Sequence, residues 1–92
     1  MATYLLFGKY SPQSLKEISS ERSKKASELV KDLGGKVKEG YALLGDIDLV
    51  LIADFPKTEQ AMKASVELSK MLGISFNSSP AVSVEDFDKL MK

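Results

Sequence analysis

Residues 37–54 read VKEGYALLGDIDLVLIAD, two apolar runs parted by Gly45-Asp46. Val37–Leu44 and Ile47–Asp54 have strand length and aliphatic composition, and a glycine-aspartate pair between two such runs is a hairpin signal. With Gly45 and Asp46 as the two turn residues, Leu44 pairs with Ile47, Leu43 with Asp48 and Tyr41 with Val50. Side chains alternate across a strand, so this register sorts them into two sets. Gly40, Ala42, Leu44, Ile47, Leu49, Leu51 and Ala53 share one face, whose small members leave room for helices. Val37, Glu39, Tyr41, Leu43, Asp48, Val50, Ile52 and Asp54 share the other. That second face is half apolar, more than a water-facing sheet in a 92-residue chain can carry. It predicts a homodimer in which two such faces pack together.

The flanking segments complete the plan. Thr3–Tyr10 (TYLLFGKY) is short, aromatic and apolar, and reads as a first strand. Its Leu5 and Phe7 suit the helical layer, which turns Tyr4, Leu6, Gly8 and Tyr10 toward the open face. Ser11 followed by Pro12 is an N-cap and first helical residue. The polar Ser19-Ser20-Glu21 interrupts that helix, leaving a short turn and a longer helix that stops at Gly34-Gly35. Pro56 ends the third strand, and Thr58 caps a second helix that carries Ala61, Ser65, Leu68 and Leu72 to Gly73. Ile74–Val82 is a fourth strand whose Pro80 confines it to an edge or a bulge. Ser83 caps a terminal helix with Asp86 three residues on, and Val82 and Phe87 flank the cap as a hydrophobic staple. The order βαββαβ plus a tail helix is the ferredoxin-like α+β plan: a four-stranded antiparallel sheet with helices on one face. The whole chain, residues 1–92, reads as one such domain.

Composition excludes several functions. Thirteen basic and thirteen acidic residues cancel, and the chain has no His, Cys or Trp and a single Arg, Arg22. Without Cys there is no disulfide, thiolate zinc site or Cys nucleophile. Without His there is no Ser–His–Asp triad and no imidazole ligand. A neutral chain lacks the basic surface that nucleic-acid binding uses. No run of about 18 apolar residues spans a membrane, and the start has no basic region of a signal peptide. A cytoplasmic protein is expected, with no metal, as Asp46 and Asp48 offer too few oxygens, and no cofactor. Gly34-Gly35 follows a helix and leads into a strand, the reverse of a phosphate-binding loop.

Chemistry therefore falls to carboxylates, tyrosines and lysines. Asp48, set between Leu43 and Val50, is placed to serve as a base or ligand anchor. Alternatively it caps the Gly45 turn by accepting backbone N–H bonds. Tyr4, Tyr10 and Tyr41 can bond or stack on a ligand, or simply pack. Arg22 stands among Glu21, Lys24, Lys25 and Glu28, the pattern of a solvated helix face, although a guanidinium can also grip an anion.

The segments TYLLFGKYSPQSLKEI and LGGKVKEGYALLGDIDLVLIADFP, with the helix that follows, resemble the GYD domain family of the dimeric α+β barrel superfamily. The family takes its name from a Gly-x-Tyr-Asp-like motif after the second strand. Here that segment is Gly45-Asp46-Ile47-Asp48, so Gly45 and Asp48 match while Ile47 replaces the aromatic residue. The central motif is also similar to one in effector-binding domains of leucine-responsive-type regulators. The resemblance implies a dimer of ferredoxin-like subunits and brings no established activity. The expected function is small-molecule binding or sensing in the space between the two sheets, with Tyr10, Tyr41 and Asp48 as ligand contacts. The alternatives are a cofactor-independent monooxygenase- or isomerase-like enzyme using Asp48 as base, or a structural oligomerisation module.

Overall fold

A computed structural model describes residues Met1–Lys92. Its elements are β1 (Ala2–Tyr10), α1 (Pro12–Lys16), α2 (Ser20–Asp32), β2 (Lys36–Ala42), β3 (Leu49–Phe55), α3 (Thr58–Leu72), β4 (Ile74–Ala81) and α4 (Val84–Leu90). The strands form one antiparallel sheet in the order β2-β3-β1-β4, the ferredoxin-like arrangement.

Local chemistry places the helix ends as the sequence predicts, with one exception. Ser11, Ser19 and Ser83 each accept a bond from the N–H three residues on. These caps satisfy amides that have no partner inside the helix. Gly34 and Gly73 end α2 and α3 with φ of 81° and 66°, conformations that a Cβ disfavours. The exception is α3, whose N-cap is Lys57 and carries no side-chain cap bond. The Thr58 hydroxyl is instead 2.8 Å from the Tyr4 hydroxyl.

The core lies between α2, α3 and one face of the sheet. Leu6, Val30, Phe55 and Leu68 are fully buried there, with Ala53, Ala61, Ala64 and Ile74 around them. Tyr4 belongs to this cluster, its ring edge-on to Phe55 at 5.9 Å. The register opposes Tyr4 to Ala53, Leu6 to Leu51 and Gly8 to Leu49. The predicted facing of β1 is therefore reversed. Tyr4, Leu6, Gly8 and Tyr10 face the helices, and Leu5 and Phe7 lie on the open side. Gly8 is required there by the Phe76 ring, which stands 2.8 Å from where a Cβ would sit.

Two further corrections concern the β2–β3 hairpin. Tyr41 opposes Val50 as expected, but the register shifts between Val37 and Glu39. This bulge at Lys38 moves Val37 to the helical face, where it packs against the core. The connection is also wider than a two-residue turn. Residues 43–48 form a loop closed by the Leu43 N–H donating to the Asp48 carbonyl at 2.8 Å. At its tip Gly45 has φ 140° and the Leu44 side chain is fully exposed. β4 is an edge strand, as Pro80 demands. The tail helix α4 buries no residue, and Val82 and Phe87 stay 60% and 50% exposed rather than closing over the cap.

Gly35 gives a sharp test of this packing. A Cβ there would lie 2.6 Å from the Asp54 carbonyl oxygen and 2.7 Å from the buried Phe55 ring. Gly35→Ala should cost about 1–3 kcal/mol, the usual range for forcing atoms into a filled core, read as a lowered urea midpoint at unchanged slope.

Candidate functional site

Asp48 sits just before β3, where β1 runs past the end of its neighbour. Its N–H donates to the Gly8 carbonyl at 2.9 Å and its carbonyl accepts from Leu43 N–H. The carboxylate Oδ2 accepts the Tyr10 N–H at 2.9 Å. In a regular ladder that amide would meet a strand carbonyl; here a side chain supplies the acceptor. Asp48 thus accepts a backbone N–H, as the capping reading required, but the amide belongs to β1 rather than to the Gly45 turn. One residue fastens β1 to the loop that joins β2 and β3 at this end of the sheet.

The three predicted ligand contacts do not share one face. Tyr41 lies on the open side of β2, 52% exposed, with its hydroxyl donating to Glu39 Oε2 at 3.3 Å. Tyr10 lies on the helical side, and only its backbone meets Asp48. Tyr4, the third tyrosine, is buried in the core.

The open face is continuous and apolar at its centre. Leu5 opposes Ile52, and Phe7 opposes Val50, which in turn opposes Tyr41. No helix covers these side chains: Leu5, Phe7, Val50 and Ile52 are only partly buried, and Tyr41 is exposed. Polar groups border them. Thr3 Oγ1 donates to Asp54 Oδ1 at 2.6 Å, and Lys38 Nζ stands 4.0 Å from Asp54 Oδ2. Asn77 and Ser79 of β4 oppose Phe7 and Leu5 on the other side.

A separate cavity of about 440 Å³ opens on the helical side, beneath α2. Leu49, Leu51, Gly40 and Ala42 form its floor, and the two small residues of β2 are why the space exists. Arg22 and Tyr10 stand at its wall. The guanidinium carbon lies 5.5 Å from the Tyr10 ring centroid, and Nη1 donates to the Ser14 carbonyl at 2.7 Å. Arg22 is therefore a half-buried structural cation rather than part of a solvated face. The sequence favours a solvated face because the Ser14 carbonyl and Tyr10 approach Arg22 only in the fold. Lys25, by contrast, is an exposed partner of Glu21.

A GYD domain profile matches residues 4–91. No curated protein matches the chain. Among solved structures, the leucine response regulatory protein LrpA of Mycobacterium tuberculosis superposes with a TM-score of 0.59 at 7% identity. An AsnC family transcriptional regulator from Agrobacterium tumefaciens does so with 0.58 at 22% identity. The superpositions cover 90% and 89% of this chain but only 51% and 50% of those proteins. The chain thus spans about half their length and has the fold of that half.

The Asp48 bond makes a stability prediction. Asp48→Ala leaves the part-buried Tyr10 amide without its charged acceptor and should cost about 1.5–3 kcal/mol. Asp48→Asn keeps an acceptor oxygen and should lose about half as much in the same urea titration.

Proposed function

The chain belongs to the GYD domain family, and on that footing we propose that it acts as a homodimer binding a small molecule between its two opposed sheets. The uncovered apolar stripe of Leu5, Phe7, Val50 and Ile52 carries this reading. A sheet face bordered by polar groups yet apolar at its centre is the surface that a self-complementary interface buries. Two-fold packing brings each stripe against its own copy, since a two-fold interface uses the same patch on both subunits.

A small-molecule space between the sheets follows from the same residues. Its walls are apolar, and Tyr41 with Glu39 supplies polar contacts on each subunit. Apolar walls with a few convergent polar groups are the usual form of a ligand site. Asp48 stands at the end of this face and holds the strand ends in register. The Tyr10 side chain, being on the other side of the sheet, is outside this space.

Sedimentation velocity at micromolar concentration tests the assembly. The wild type should sediment at twice the monomer mass, and Val50→Lys, which places a charge at the centre of the stripe, should sediment as a monomer. A wild type that is monomeric under those conditions sinks the proposal. Native mass spectrometry extends the test, because a mass retained by the dimer should be absent from the Val50→Lys protein.

A further inference from the structure

We propose that the cavity beneath α2 is a second, independent binding site, one that takes a small monocarboxylate with an apolar body. It does not depend on the dimer, because its walls all come from one chain, Tyr41 being the one lining residue whose side chain belongs to the open face.

Three observations point to this ligand class. The cavity has the volume of an ordinary small-molecule site, about 440 Å³ against a typical range of roughly 300–1,000 Å³. Ten of its 15 lining residues are hydrophobic, so most of an occupant's surface must be apolar. The lining also holds a single charge, the guanidinium of Arg22.

That guanidinium is poised rather than spent. Nη1 is held by the Ser14 carbonyl, and the Tyr10 ring lies alongside. These contacts fix the planar group while leaving most of its five donors without a protein acceptor. None of the ion pairs in the molecule involves Arg22. A fixed, half-buried guanidinium with no anionic partner is matched by a carboxylate, which it can bind through two parallel N–H bonds. Ser19, Ser23 and Ser27 line the same cavity, so a bound carboxylate would find hydroxyl-bearing residues beside the guanidinium.

The charge pattern also sets a specificity. No Asp or Glu lines the cavity, so the ammonium of an amino acid would enter without a counter-ion. Burying an unpaired charge is costly. The site therefore selects a monocarboxylate over a zwitterion of similar shape.

The probes are 4-phenylbutyrate and its uncharged analogue 4-phenylbutyramide, titrated into the full chain and followed by amide NMR shifts. The carboxylate should produce saturable shifts at Ala26, Gly40 and Leu49, and should bind about tenfold or more tightly than the amide. Arg22→Gln should erase that difference. Ala42→Phe, which fills the cavity from its floor and leaves the Arg22–Ser14 bond in place, should abolish binding of both. The same titration on Val50→Lys separates this site from the space between sheets, and binding should persist there. Equal affinity for the two probes in the wild type overturns the proposal. So do shifts centred on Leu5, Phe7 and Val50, or loss of binding in a folded Val50→Lys protein.

Discussion

The pairing of β1 with β3 decides which half of each strand is core. Leu6 opposite Leu51 and Tyr4 opposite Ala53 set a row of side chains beneath α2 and α3, and a slip of one residue would exchange both faces. Two short helices can cover only one side of a four-stranded sheet. α3 rests chiefly on β4 and α2 on β2. Everything on the other parity, Leu5 and Phe7 with Val50 and Ile52, is left without cover. The buried core and the bare apolar stripe are two consequences of one register.

Much of the architecture was legible because its determinants are local. The Ser11 and Ser83 caps, a proline at the start of α1 and glycines after α2 and α3 act over three or four residues, and each falls where the spacing predicted. The facing of β1 was not legible for a physical reason. In TYLLFGKY both parities are apolar, Tyr4 and Leu6 on one and Leu5 and Phe7 on the other, so the alternation that orients a half-buried strand is missing. What resolves it is non-local: Gly8 must face the helices because the Phe76 ring crosses over it. The bulge at Lys38 hid in the same way. Nothing in VKEGYA marks an extra residue, yet it carries Val37 into the core.

The candidate site was legible in its residues and not in its grouping. Asp48 was the sharpest carboxylate in the sequence, and it is the one that holds a backbone amide of another strand. Tyr41 stands on the open face as the hairpin register required. Tyr10 and Arg22 changed places in importance. Turning Leu5 and Phe7 to the helices sets Tyr10 on the face it does not occupy, and the charged neighbours of Arg22 suggest a solvated side chain. Their meeting at 5.5 Å depends on the turn between α1 and α2 bringing Arg22 back over Ser14. No spacing rule within one helix contains that contact.

Asp48 ties the two faces of the sheet together. Its backbone bonds reach Gly8 on one side and Leu43 on the other, and its carboxylate fixes Tyr10. The strand end it holds carries Phe7 and Val50 outward and Leu49 and Tyr10 inward. Loosening it would therefore disturb the rim of the open face and the wall of the cavity together. Each face takes its chemistry from different side chains, but both depend on the same three hydrogen bonds of Asp48 for their shape. A change at Asp48 that altered binding would consequently not identify the site involved, whereas Val50 and Arg22, each confined to one face, do separate them.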